Sequence, residues 1–165
     1  MKSEIGIVNN NTSSNKHYRK AFNTALRLLT RREHSKYEIS QKLKQRGFSP
    51  EVIEKTISEC ERFDYISDER TARVLIRQMI RKGYGAKRIR QEMGKKGLRS
   101  KSIQRILSES VSEADEREGA EHILKKHIKK FERENDLKKK KEKIYRFLYS
   151  RGFSQEIISQ LMKKY

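Results

Sequence analysis

A short segment of this chain occurs twice, and a weaker copy lies between the two. The residues Arg46-Gly47-Phe48-Ser49 recur 105 positions later as Arg151-Gly152-Phe153-Ser154, and Lys96-Gly97-Leu98-Arg99 stands at an offset of 50. Self-similarity at this period indicates one supersecondary unit used three times, so the chain is predicted to be a tandem array. Apolar residues keep the same register around all three copies: Ile39, Leu43, Ile53 and Ile57; Ile89, Met93, Ile103 and Leu107; Ile144, Leu148, Ile158 and Met162.

Each unit is predicted to contain three helices. Ser35 and Glu38 fit a capping box that opens the second helix, and Gly47 falls at its end, where a left-handed turn favours glycine. Ser49, like Ser154, suits the N-cap of a third helix, with Pro50 at its first position. The first helix shows an apolar pattern that returns fifty residues later: Phe22, Ala25, Leu26 and Leu29; Ala72, Leu75, Ile76 and Met79. With one proline and no alternating apolar pattern, the sequence predicts an all-α fold of three tandem three-helix repeats forming an elongated, curved array.

The repeats divide the chain into four predicted segments. Residues 1–16 are rich in asparagine and serine and are expected to be a disordered tail, followed by repeats at 17–66, 67–112 and 113–165. A linker at Asn135 to Lys141 is expected to account for the five extra residues of the third repeat. No segment fits a signal peptide, and the single Cys60 cannot form an intramolecular disulfide, so a cytoplasmic location is expected.

Positive charge is the second strong feature of the sequence. The chain has 41 basic and 22 acidic residues, and residues 70–105 alone contain 13 bases and one acid. Arg73, Arg77 and Arg81 recur every four residues, which is typical of one helix face. A charge run often marks only a solvated face, but self-repulsion this one-sided is destabilising unless a polyanion relieves it. We therefore predict a docking surface for nucleic acid or an acidic protein surface, made of Arg70, Arg73, Arg77, Arg81, Lys82, Tyr84, Lys87, Arg88, Arg90, Lys95 and Lys96.

A second basic cluster follows in residues 125–146, with eleven bases and four acids. Its interleaved acids and its run of four lysines are also typical of a mobile linker. An accessory contribution to phosphate binding is the functional alternative. The accessory residues are Lys138, Lys139, Lys140, Lys141, Arg146 and Arg151.

Other chemistry is not indicated. Tyr84, between Gly83 and Gly85, is equally consistent with stacking on a base or partner side chain and with packing across a turn.

The sequence contains no phosphate loop, no dinucleotide fingerprint and no His-Glu-x-x-His, and its four histidines and one cysteine show no metal-ligand spacing. We expect no enzymatic activity, no cofactor and no metal.

These motifs resemble the RecX family, bacterial regulators of the RecA recombinase. The similarity covers residues 18–165, and it is most specific from Arg81 to Leu98. The first helix of the third repeat matches the family pattern only loosely. The residues that carry the resemblance are 25–29 with 32–35, 63–70, 81–85 with 88–93 and 96–98, and 143–153.

The resemblance implies a non-enzymatic modulator, mainly an inhibitor, that lies in the groove of a RecA filament on single-stranded DNA. It would block duplex entry and suppress ATP turnover, strand exchange and coprotease activity, and so regulate DNA repair and the SOS response. The implied partners are the RecA filament and single-stranded DNA, with duplex DNA as a further ligand, and the implied state is a monomer. Two other functions stay open: an independent helical DNA-binding regulator, which would usually dimerise over two half-sites, and a basic RNA-binding protein.

Overall fold

The computed structural model describes residues 6–164, with side chains from Asn15 onward, and this part of the chain forms nine α-helices and no strand. The helices fall into three sets of three, which confirms the predicted all-α chain of three-helix repeats. By its internal contacts the chain divides into two compact units, one ending at Thr71 and the other beginning at Ala72. The helices are α1 (Gly6–Leu29), α2 (Lys36–Lys44), α3 (Pro50–Arg62), α4 (Asp68–Arg81), α5 (Ala86–Lys95), α6 (Lys101–Ser110), α7 (Glu113–Glu132), α8 (Leu137–Ser150) and α9 (Gln155–Met162).

The helix ends follow the local signals in the sequence. The Ser35 hydroxyl accepts a hydrogen bond from the Glu38 N–H at 3.1 Å, and the Glu38 carboxylate accepts one from the Ser35 N–H, as a capping box requires. Ser49 and Ser154 cap α3 and α9 in the same position. The predicted left-handed turns are also confirmed, because the glycine that ends the second helix of every repeat has a positive φ: 79° at Gly47, 74° at Gly97 and 85° at Gly152.

The start of the chain differs from the expected disordered tail. Helix α1 begins at Gly6, so residues 6–16 are helical, while residues 1–5 lie outside the described residues. Asparagine, serine and threonine cost no more than about 0.7 kcal/mol each relative to alanine in a helix. Once the downstream turns have formed, each added residue gains a hydrogen bond without a new nucleation cost. The polar segment can therefore extend an existing helix.

The predicted linker at Asn135 to Lys141 is wrong. Helix α8 already begins at Leu137, and the Asp136 carboxylate accepts hydrogen bonds from the N–H groups of Lys138 and Lys139 at 2.9 and 3.2 Å. Helix α8 has 14 residues where α5 has 10, so four of the five extra residues lengthen a helix. Aspartate is among the strongest N-cap residues and lysine is a good helix former, which explains why this segment is helical.

Each repeat encloses its own hydrophobic core. Cys60 is buried in the first core, where burial raises the pKa of its thiol to about 11. Among residues 6–164, no helix is both long and apolar enough to cross a membrane. The fully buried large side chains are Ile39 and Leu43 in the first repeat, Ile76, Ile89, Met93, Leu98 and Leu107 in the second, and Leu124, Ile144, Leu148, Ile157 and Ile158 in the third.

Candidate docking surface

The basic face of α4 has the arrangement that its spacing predicts. Arg73, Arg77 and Arg81 are exposed, whereas Ile76 and Met79 are buried in the core of the second repeat. A rise of about 1.5 Å per residue separates successive arginines by about 6 Å along the helix axis. The helix therefore presents a row of three guanidinium groups to solvent without using any of them in its core.

Helix α5 extends the positive charge. Lys87, Arg90 and Lys95 are exposed. The lone acid of this region, Glu92, lies 2.7 Å from the Lys95 ammonium and 3.3 Å from the Arg88 guanidinium. The hydrogen bond from Lys95 lowers the pKa of Glu92, which is therefore ionised and offsets one of its two basic neighbours. The remaining bases keep the surface positive.

Arg70 differs from the other arginines of α4 in its partners. It belongs to the unit that ends at Thr71, and its guanidinium contacts the Glu33 carboxylate at 2.8 Å and the Asp64 carboxylate at 3.1 Å. It also donates to the backbone carbonyl of Asp64, the only described residue other than glycine with a positive φ, 53°. Arg70 therefore stabilises this turn, and two carboxylates offset its charge.

The second and third repeats meet at their glycine turns. The Gly85 N–H donates to the carbonyl oxygen of Arg151 at 3.0 Å, and the Lys87 N–H donates to that of Gly152 at 3.2 Å. The next N–H, from Ala86, donates to the Glu116 carboxylate on α7 at 3.0 Å. Three N–H groups at the start of α5, which have no partner inside that helix, are thus bound by the third repeat. We call these contacts the junction.

Arg151 closes the junction from the other side. One of its terminal nitrogens donates to the carbonyl oxygens of Lys82 at 2.8 Å and Gly83 at 3.3 Å. Its guanidinium also lies over two rings, 5.3 Å from the centroid of Tyr84 and 4.9 Å from that of Phe147. Arg151 was predicted as an accessory phosphate ligand, but its guanidinium is engaged by protein groups. Tyr84 packs against the second core and beneath this arginine, in agreement with the packing alternative.

Glycine is required at the junction because the two turns approach closely. A Cβ atom on Gly85 would lie 2.5 Å from the carbonyl oxygen of Gly152, and one on Gly83 would lie 2.8 Å from the Ile123 side chain. A Cβ on Gly152 would overlap the backbone of Arg88. Gly85 and Gly152 therefore permit a backbone contact that a side chain at either position would prevent, and Gly83 leaves room for the Ile123 side chain.

A side-chain contact adds to the junction at its exposed edge. The Lys87 ammonium lies over the ring of Tyr149, 4.9 Å from the centroid. Such a cation–π contact contributes about 0.5–1 kcal/mol at an exposed site. Lys87 is therefore both part of the basic surface and part of the junction.

The accessory bases lie on α8. Lys138, Lys139, Lys141 and Arg146 are exposed, and Lys140 is half-buried. The predicted bases of α4, α5 and α8 thus lie in one compact unit, the one that begins at Ala72, except for Arg70. Sequence reasoning missed the junction roles of Gly83, Gly85, Glu116 and Arg151. The available signal was the Gly-Tyr-Gly turn together with the duplicated Arg-Gly-Phe.

Comparison with known proteins identifies the family. Models of the first, second and third three-helix domains of RecX match residues 21–60, 67–107 and 115–162, in the order of the three repeats. The chain belongs to the RecX family. The regulatory protein RecX of Legionella pneumophila (strain Corby) is 40% identical over 146 residues, which cover 88% of this chain and 94% of that protein. RecX of Haemophilus influenzae (strain PittEE) is 36% identical over 143 residues, covering 86% and 92%.

Solved RecX structures have the same fold. The crystal structure of RecX from Lactobacillus salivarius covers 90% of this chain and 96% of its own, with a TM-score of 0.78 and 23% identity. A second crystal structure of a regulatory protein RecX covers 99% of this chain and 82% of its own, with a TM-score of 0.84 and 20% identity. The relatives are regulatory proteins, which agrees with a regulatory role for this chain.

Proposed function

We propose that this chain is a non-enzymatic modulator, mainly an inhibitor, of the RecA recombinase. It binds in the groove of the RecA filament on single-stranded DNA and blocks ATP turnover, strand exchange and coprotease activity. In this role it regulates DNA repair and the SOS response. It acts as a cytoplasmic monomer and needs no cofactor.

The observation that carries the proposal is the exposed arginine row of α4 beside the bases of α5. A filament on single-stranded DNA presents a continuous line of phosphates, and each phosphate neutralised by lysine or arginine releases counterions. Arginine suits phosphate because its planar fork donates two parallel hydrogen bonds. The bound start of α5 supports the same idea, since a helix fixed by the junction loses little freedom on binding.

The test is a charge reversal of the row, with Arg73, Arg77 and Arg81 all changed to Glu. The side chains are exposed, so each change should shift the free energy of unfolding by less than about 0.5 kcal/mol. We expect the folded variant to lose both association with single-stranded DNA and inhibition of RecA ATPase. Circular dichroism and thermal unfolding report whether the variant is folded.

A matched control separates this surface from overall charge. Changing Lys16, Arg19 and Arg27 on α1 to Glu alters the net charge by the same amount at three exposed positions. The control should inhibit RecA almost as well as the native chain. If the arginine-row variant also inhibits RecA as well as the native chain does, the arginine row is only solvated.

Two other functions give different results in the same assays. An independent DNA-binding regulator or a basic RNA-binding protein would bind bare nucleic acid as tightly as it binds the filament. Neither would retain RecA in a pull-down after nuclease treatment. Retention of RecA after nuclease, together with ATPase inhibition, supports the proposed function over both.

A further inference from the structure

Two tyrosines on helix α8 form a pair of rings at the surface. Tyr145 and Tyr149 are four residues apart, so their side chains lie on the same face of the helix. Their rings are nearly parallel, with an interplanar angle of 11° and centroids 6.0 Å apart. Rings in full face-to-face contact would have centroids only about 3.5–4 Å apart. The two rings are therefore offset, and neither covers the whole face of the other.

The core of the third repeat makes little use of these rings. Tyr149 is 49% exposed, and in the part of the chain that the structure describes it does not pack against this core. Tyr145 is half-buried and packs at the edge of the core. Phe147, between them in sequence, packs against Phe131 with ring centroids 5.4 Å apart. The core thus relies on Phe147 and leaves the ring of Tyr149 to solvent.

Lys87 lies over the exposed ring. Its ammonium is 4.9 Å from the centroid of the Tyr149 ring and 3.4 Å from the phenol oxygen. Both side chains are exposed, and a cation–π contact at an exposed site is weak, so the ammonium can move to a stronger partner. A nucleotide matches this arrangement, because its flat base stacks on an aromatic ring and its phosphate binds an ammonium.

Positive charge surrounds the two rings. Lys141 and Arg146 are exposed and line a groove beside Tyr145. Of the described residues that line this groove, Glu142 is the one acid, and Met162 adds apolar surface. Together with Lys87 over the neighbouring ring, three bases therefore stand against one acid. This is the sign of charge that attracts a phosphate backbone.

The ring pair adjoins the basic surface of the second repeat. Lys87 belongs to α5, and Arg90 on the same helix is also exposed. The end of α8 is bound to the end of α4, since the Arg151 guanidinium donates to the carbonyl oxygen of Lys82 at 2.8 Å. All of these residues lie in the compact unit that begins at Ala72. Lys87 thus connects the bases that suit phosphates to the rings that suit nucleobases.

A second pair of exposed rings, in the first repeat, is a poor candidate for the same ligand. Phe63 and Tyr65 have ring centroids 5.7 Å apart, and the Arg62 guanidinium lies 4.5 Å from the Phe63 ring. These residues belong to the segment 49–69, which has seven acids and two bases. Such a segment repels a phosphate backbone. Of the two pairs, the one on α8 therefore has the charge that a nucleic acid requires.

We propose that Tyr145 and Tyr149 form a stacking platform for the unpaired bases of single-stranded DNA, with Lys87 moving to an adjacent phosphate. The inference deepens the proposed function and rests on its DNA contact. In a duplex the bases are stacked on one another, and their faces are not available to side chains. The bases of α4 and α5 attract the phosphates of any strand, whereas the platform selects single strands.

A comparison of two oligonucleotides tests the platform. One is a single strand of thymidine nucleotides, and the other is an abasic strand of the same length and charge. We expect the native chain to bind the thymidine strand about tenfold more tightly, as stacking of one base on an aromatic ring implies. Equal affinities for the two strands would overturn the platform, because binding would then depend on phosphates alone.

Variants of Tyr149 assign this preference to the ring. Tyr149→Phe keeps the ring and should keep the preference, whereas Tyr149→Ala should bind the two strands within about twofold of each other. Phe63→Ala is the matched control, because it removes a ring that is 50% exposed and also lies beside a cation. It should keep the native preference. A Tyr149→Ala variant that keeps the full preference would refute the platform.

The preference is a ratio of two affinities measured on one preparation. A smaller folded fraction of Tyr149→Ala lowers both affinities by the same factor, so it does not imitate the expected result. If the native chain binds neither strand, the DNA contact of the proposed function is refuted together with the platform. If it binds both strands equally, the platform alone is refuted.

Photo-cross-linking of the native chain gives a readout that needs no variant. An oligonucleotide containing iododeoxyuridine is bound to the chain and irradiated, and the linked residue is located by mass spectrometry. We expect the link at Tyr149 or Tyr145, since the base would lie on these rings. Links confined to other residues would overturn the platform.

Discussion

Gly85→Ala should destabilise this protein, although most substitutions of this kind do the opposite. Gly85 has φ −81° and ψ 168°, values that alanine adopts freely. Replacing glycine by alanine at a compatible backbone position usually stabilises by about 0.4–1 kcal/mol, because the unfolded chain loses freedom. The new Cβ, however, would lie 2.5 Å from the Gly152 carbonyl oxygen and 2.7 Å from the Phe153 nitrogen. These are backbone atoms, so no side chain can turn aside.

The cost can be built from the contacts. Relieving the overlap moves the two turns apart and weakens the bonds from Gly85 to Arg151 and from Lys87 to Gly152, at 3.0 and 3.2 Å. Each is worth about 1 kcal/mol net, and residual overpacking adds about 1–3 kcal/mol. After the gain in the unfolded state is subtracted, we expect a loss of roughly 2–4 kcal/mol. That is a large share of a typical stability of about 5–15 kcal/mol.

The measurement is urea unfolding followed by circular dichroism, combined with hydrogen exchange of the Lys87 amide. Gly119→Ala is the matched control, because Gly119 lies in α7 with nothing within 4 Å of its Cβ position. The control should stabilise by about 0.5–1 kcal/mol. The close approach of the two turns would be contradicted if the Gly85→Ala variant were as stable as the control and its Lys87 amide were still protected from hydrogen exchange.

Three further outcomes are expected. A plot of log affinity for bare single-stranded DNA against log salt concentration should have a slope near −0.7 for each phosphate neutralised. Affinity for the RecA filament should fall less steeply with salt. Parallel slopes and equal affinities would favour plain nucleic-acid binding. Burial lowers the pKa of His34. The resulting contribution of His34 to the free energy of unfolding is present above about pH 6.5 and is lost as pH falls through the lowered pKa. The urea midpoints at pH 7.5 and pH 5.5 should therefore differ less in the His34→Gln variant than in the native chain. Arg151→Lys should lower the urea midpoint by the equivalent of about 1–2 kcal/mol, because one ammonium cannot reproduce the planar contact with two rings; an unchanged midpoint would show that the guanidinium adds nothing to the junction.

The sequence predicts the local architecture well because its signals are local. A serine that caps a helix three residues before its partner N–H, or a glycine such as Gly47 in a left-handed turn, acts within one turn of the chain. The row of arginines on α4 follows from helical spacing alone. These features need no knowledge of what lies across the fold.

The residues whose roles the sequence analysis predicted wrongly are those whose roles depend on neighbouring groups in the fold. The lysines after Asp136 are typical of a mobile linker until the aspartate is recognised as an N-cap. Arg151 is indistinguishable from Arg46 by its neighbours, yet one is held by carbonyl groups of another repeat and the other by its own helix. That difference arises from partners 68 and 69 positions away. Periodicity in a single sequence does not report such partners.

The junction also fixes an order of assembly for the newly made chain. The unit that ends at Thr71 has its core and its caps within its own sequence. The turn before α5, by contrast, is complete about 65 residues before Gly152 is added. At a synthesis rate of about 5–20 residues per second, this interval lasts roughly 3–13 s. During that time the N–H groups of Gly85 and Lys87 lack the carbonyl groups that the third repeat provides, so the first repeat can be native while the second still awaits its partner.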